Sequence, residues 1–152
     1  MSSLADRKTR FSDAAKAIET TPKALRNWIA RRQVVLYGQE DTRVWHDFSL
    51  ADVASLAITR RLVDFGLKVE EANVLARRIL STLQGPQFAH AEDFEKLMGF
   101  WEERRVAVCH ELEGWRLIRV MDGDRIDPDA CILLNVHGIL ARVSARLAEN
   151  EA

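Results

Sequence analysis

The stretch "TPKALRNWIARRQVV", Thr21 to Val35, reads as a short capped helix with a basic outer face. Thr21 is placed to cap it, because a threonine oxygen accepts from a backbone N–H of the first turn. Pro22 suits the first helical position, where its missing N–H would have had no partner. Leu25, Trp28 and Ile29, with the stem of Arg32, fall on one face at helical spacing. Lys23, Arg26, Asn27 and Arg31 fall on the opposite arc, around the small Ala30. Long polar donors on one side and an apolar back are what a helix in a DNA major groove requires.

The flanking sequence predicts more helices on either side. Upstream, "FSDAAKAIET" offers Ser12 as an N-cap, Asp13 in the first turn, and Ala14, Ala15 and Ile18 on one face. Downstream, Val34 to Tyr37 and Val44, Trp45 and Phe48 favour extended chain around the turn-rich "GQEDT". That pattern predicts a β-hairpin with a polar tip. Ser49 and Asp52 then stand three apart, as in a capping box, before an apolar helical pattern from Leu50 to Phe65. Gly66 follows where a left-handed residue ends a helix. A further helix is predicted from about Val69, with Ala72, Leu75, Ala76, Ile79, Leu80 and Leu83 inward, until Gly85-Pro86 stops it.

That break is the expected boundary between residues 1–84, which should fold alone, and residues 85–152. Beyond it, Ala91 to Phe100 is predicted helical. "RRVAVCHELEGWRLIRVMDG" is predicted as two strands around "LEG", with a helix over its first part left open. "CILLNV" is predicted as a buried strand. The last helix should turn Ile139, Leu140, Val143 and Leu147 inward. The fold class expected is α+β, mainly α: an N-terminal winged helix-turn-helix followed by a small α+β region.

Three linked motifs resemble the DNA-binding domain of MerR-type regulators, over residues 11–83. "ALRNW" matches that family's Leu-Arg-x-aromatic pattern on its recognition helix. "FSLADV" matches its Tyr/Phe-Ser-x-x-Asp-Val junction after the wing, and "RRLVDFGLKVEEA" its Arg-Arg-Leu and Gly-hydrophobic-x-x-Glu-Glu signature. The resemblance implies a winged helix-turn-helix that binds double-stranded DNA and regulates transcription. Arg26 stands at the family's recognition-helix arginine. Thr21, Lys23, Asn27 and Arg31 are the other expected contacts from the helix. In the wing, His46 and Asp47 stand where the family usually has arginines, which leaves Arg43 as the nearest cation. Arg43, Trp45 and His46 complete the candidate set, Trp45 being open to a role as anchor or as sugar contact. The family also tends to end its recognition helix with glycine, where this chain has Arg32-Gln33.

Such regulators usually continue into a long dimerising coiled-coil helix, and Gly85-Pro86 breaks this chain instead. A homodimer is still expected, to suit symmetric half-sites, with "CILLNV" and the last helix as its materials. The region after residue 84 is also the expected contact for RNA polymerase or another protein. Two alternatives stand beside transcription regulation. One is a phage-type packaging or recombination accessory protein using the same DNA-binding domain. The other is a protein–protein adaptor whose winged helix has no DNA role.

The charge agrees with a basic binding half. The net charge of −1 over 152 residues divides into 14 Lys and Arg against 10 Asp and Glu up to Gln84, and 8 against 13 after it. No apolar run reaches membrane-spanning length, and "MSSLADRKTRF" lacks a signal-peptide core, so a cytoplasmic protein is expected. Cys109 and Cys131 do not make a disulfide framework and read as small reduced residues. His90, Cys109, His110, Cys131 and His137 have no metal-ligand spacing, and adjacent Cys109 and His110 would face opposite sides of a strand. The run Asp122, Asp124, Asp127 and Asp129 lacks a calcium loop's central glycine and terminal glutamate. No nucleophile–base pair and no phosphate-binding glycine loop stands out. Neither a cofactor nor an enzymatic activity is expected.

Overall fold

The computed structural model describes residues 7–37, 47–84, 94–111, 114–120 and 131–151. In chain order these form β1 (Arg7–Arg10), α1 (Phe11–Ala17), α2 (Pro22–Ala30), β2 (Asp47–Ser49), α3 (Leu50–Asp64) and α4 (Val69–Gln84). Then come α5 (Phe94–Trp101), β3 (Arg105–Glu111), β4 (Gly114–Val120), β5 (Ile132–Leu134) and α6 (Val136–Glu151). The protein is α+β and mainly helical. Its strands form two small antiparallel sheets, β1-β2 and β4-β3-β5.

The local signals work where capping chemistry is complete. Thr21 Oγ1 accepts from Ala24 N at 3.1 Å, and Pro22 opens α2. Ser49 Oγ accepts from Asp52 N, and Asp52 Oδ2 accepts from Ser49 N, each at 3.0 Å. Gly66 ends α3 at φ +97°, a conformation that costs an L side chain about 1–2 kcal/mol. Its N–H donates to Val63 O and that of Leu67 to Leu62 O, so two end carbonyls of α3 are satisfied. Asn135 caps α6 by accepting from Gly138 N at 3.0 Å.

Three expectations change. Ser12 does not cap α1, which begins at Phe11 with Arg10 in the cap position and no side-chain bond. The Phe11 ring packs 5.6 Å from that of buried Phe48, and this tertiary contact draws residue 11 into the helix. Val34 to Tyr37 is not a strand of a hairpin. The N–H of Val35 donates to Asn73 Oδ1 at 2.9 Å and that of Tyr37 to Asp52 Oδ1 at 2.6 Å, so side chains of α4 and α3 take the bonds a strand would have used. Instead β2 pairs with β1, Thr9 opposite Phe48 and Arg10 opposite Asp47. The hairpin tip expected at Gly38 falls in 38–46, outside the described residues. Finally, "CILLNV" is not a buried strand but a three-residue edge strand. Leu134 is buried, whereas Leu133, on the other face, is 54% exposed.

The two strands around "LEG" are β3 and β4, in register from Arg105 opposite Val120 to Glu111 opposite Gly114. The boundary expected after Gln84 borders residues 85–93, outside the described set. Apolar residues from both sides of it join one core. Leu25, Trp28, Phe48, Leu56 and Leu62 share a cluster with Leu97, Trp101, Val106, Leu134 and Leu140. Helix α6 packs on α1, α3 and α5.

Candidate nucleic-acid interface

Helix α2 is held from behind. Leu25, Trp28 and Ile29 are buried in the common core, which fixes the rotation of the helix, and α2 packs on α1. Its other side is therefore outward: Thr21, Lys23, Arg26, Asn27 and Arg31 are all exposed. The structure thus brings five of the eight expected contacts onto one surface. Arg43, Trp45 and His46 lie outside the described residues.

The cations on this surface keep their charge available. Among the described residues, the ion pairs lie elsewhere. Arg60 and Arg61 pair with Asp64 at the end of α3, the second at 3.7 Å. Arg146 of α6 pairs with Glu19 at 2.9 Å. No described carboxylate pairs with Lys23, Arg26 or Arg31. Arg26 instead lies over the Phe11 ring, 5.4 Å from its centroid. A guanidinium on an aromatic face keeps its full charge and its donors while losing some side-chain freedom.

Behind α2, a buried polar group ties down the chain that follows. The Asp52 carboxylate is 1% exposed and accepts from Tyr37 N and Ser49 N, one on either side of residues 38–46. Asn73 accepts from Val35 N and donates to Thr59 Oγ1 at 3.2 Å, while the Thr59 hydroxyl donates to Ser55 O at 2.8 Å. The Arg77 guanidinium lies 5.1 Å from the centre of the Tyr37 ring. Burial raises the Tyr37 pKa above its ordinary value, against the opposing effect of Arg77, so this phenol stays neutral. Tyr37 and Ser49, described residues on either side of 38–46, therefore meet at one carboxylate. Asp52, read from sequence only as a helix cap, also serves as this clamp.

No known protein family and no curated protein matches this chain.

One residue near α2 went unread in the sequence as a contact, and a second was read there as part of the apolar face. Arg10 is exposed beside Phe11, and Arg32 is exposed just after α2. The run "RKTR" was a visible signal for the first, since three cations in four residues precede α1. Of the sites set aside from sequence, His90 and the run Asp122, Asp124, Asp127 and Asp129 lie outside the described residues. Cys109 is buried and neighbouring His110 is exposed, edge-on to Trp115 at 5.1 Å. His137 Nδ1–H donates to Met98 O at 2.9 Å, joining α6 to α5. Among the described residues no three metal-ligating side chains cluster, and no helix is long and apolar enough to cross a membrane.

Proposed function

We propose that the protein binds double-stranded DNA, with α2 as the helix that enters the major groove, in the manner of a MerR-type winged helix-turn-helix regulator. The observation that carries this reading is the outer face of α2. Lys23, Arg26 and Arg31 stand exposed without a described carboxylate partner, while Arg60 and Arg61 of α3 and Arg146 of α6 are paired. In this reading Arg26 and Asn27 meet base edges, and Lys23, Arg31 and the N–H groups at Thr21 meet phosphate. The residues between Tyr37 and Asp47 take the place of the wing, with Arg43, Trp45 and His46 as its contacts. The job proposed is transcription regulation as a homodimer, assembled through the region after residue 84. A monomeric mass at micromolar concentration removes the dimer.

The experiment is titration of the full chain against duplexes of mixed sequence at several salt concentrations, followed by selection of a preferred site. Binding through phosphates gives a log–log salt slope of about −0.9 for each phosphate neutralised. No salt-dependent binding to any duplex overturns the proposal and leaves a protein–protein adaptor as the reading. A genome-wide occupancy map then separates promoters from packaging or integration sites.

A further inference from the structure

The register of the second sheet, extended by one residue, sets the two cysteines across from one another. Strand β5 pairs with β3 with Val106 opposite Leu134, Ala107 opposite Leu133 and Val108 opposite Ile132. One more step along the same antiparallel register sets Cys109 opposite Cys131. Directly opposed residues of an antiparallel pair share a face, with Cα atoms about 4.5–5.5 Å apart. A disulfide spans Cα separations of roughly 4.4–6.8 Å, so the bridge needs little backbone movement. Both residues are thiols in this structure. Their environments differ in a useful way: Cys109 is fully buried, while Cys131 is partly exposed.

We propose that Cys109 and Cys131 form a cross-strand thiol pair that closes to an intramolecular disulfide on reaction with a low-molecular-weight disulfide. Cys131 is the entry. Its thiolate attacks one sulfur of the small disulfide, whose S–S bond breaks and releases one thiolate, protonated from water. The product is a mixed disulfide on Cys131. Cys109 then gives up its proton to solvent and attacks the Cys131 sulfur. The protein S–S bond forms, and the second small thiol leaves and is protonated. The two protein thiols are oxidised by two electrons, and the small disulfide is reduced to two thiols. The bridge ties the edge strand β5, and so the start of α6, to the central strand β3. It rests on strand register alone and stands whether or not the protein binds DNA.

The test is equilibration of the native full chain with mixtures of reduced and oxidised glutathione, then acid quench, alkylation and intact mass measurement with peptide mapping. The expected product is a monomer lighter by two hydrogens, closed to alkylation at both cysteines, with the peptides of Cys109 and Cys131 linked. Closure in the native chain should need roughly tenfold less oxidised glutathione than in denaturant, because folding raises the effective concentration of one thiol at the other. In Cys109→Ser the glutathione adduct should persist on Cys131. A native chain that stops at that adduct, forms linked dimers, or closes no more readily than the denatured chain overturns the proposal. These readouts on the native chain decide the matter even where the serine variant does not fold.

Discussion

The turns that end α1 and α2 share a backbone. In each, a residue that is not glycine takes a positive φ, 63° at Glu19 and 55° at Arg32. In each, the next N–H reaches back to the last turn, Thr20 N to Ala15 O and Gln33 N to Trp28 O, both at 2.9 Å. The side chains part company there. Glu19 pairs with Arg146 of α6 at 2.9 Å, and its carbonyl accepts from Arg60 of α3 at 3.4 Å. Arg32 projects outward, beside the exposed cations of α2. One turn is fastened to the protein from two sides, whereas the other leaves its charge to solvent. A basic helix is common, and the difference lies in whether the protein itself neutralises it. That criterion separates Arg26 of α2 from Arg146 of α6, although both are arginines on a helix surface.

The largest test of the fastened side is to remove what fastens it. A chain ending at Gln84 lacks α6, which packs on α1 and α3, and lacks Leu97, Trp101 and Leu140 from the common core. Its stability is expected to fall by on the order of 5 kcal/mol, most of what a small domain has. Urea unfolding followed by far-ultraviolet circular dichroism measures this. A fragment with the midpoint of the whole chain restores an independent N-terminal unit and breaks the comparison at its root.

Next in size is the clamp beneath the open side. Asp52→Ala strands the N–H groups of Tyr37 and Ser49 and removes half of the capping box of α3. An unpaired buried donor costs about 1–3 kcal/mol, so a loss of about 2–5 kcal/mol is expected. Amide exchange should quicken at Tyr37 and Ser49 before it quickens at the core of α4. Uniform quickening everywhere would mean that Asp52 supports the whole fold and not the chain around 38–46.

The third test sets the two kinds of arginine against each other. Arg26→Ala is expected to cost about 1–3 kcal/mol in binding to a preferred duplex and to relax preference at one position. Arg146→Ala is expected to leave DNA binding unchanged and to lower stability by no more than about 1 kcal/mol, since its pair with Glu19 is largely exposed. Equal effects of the two on DNA binding would show that neutralisation is not what distinguishes these two arginines.

The parts of this arrangement that were legible in the sequence are the local ones. Thr21-Pro22, Ser49 with Asp52, and Gly66 each act within one helical turn, so spacing along the chain is spacing in the structure. The outward arc of α2 follows in the same way from Leu25, Trp28 and Ile29 being buried. What stayed hidden depends on chain distant in sequence. Nothing local says that Phe48 draws Phe11 into α1, or that Asn73 takes the N–H of Val35 and so keeps it out of a sheet. The opposition of Cys109 and Cys131 requires the β3-β5 register. The run "CILLNV" misleads because apolarity without alternation does not say which face is covered, and on an edge strand one face is not.

The smallest effect returns to Arg32. A non-glycine residue in the left-handed region pays about 1–2 kcal/mol, and glycine removes that strain at an entropic cost of about 0.5–1 kcal/mol. Arg32→Gly is therefore expected to raise stability by up to about 1 kcal/mol, read as a small rise in the thermal midpoint. At the other turn, Glu19→Gly relieves the same strain but loses the pair with Arg146, so its gain should be smaller. DNA binding then decides why a strained arginine stands there. If its charge meets the phosphate backbone, Arg32→Gly weakens all duplexes alike and shallows the salt slope by about one unit, while sequence preference is kept. Lys23→Ala should behave the same way, because a lysine near a helix N-terminus suits phosphate. An Arg32→Gly variant that is more stable and binds with an unchanged salt slope would place the edge of the interface before residue 32, within α2 itself.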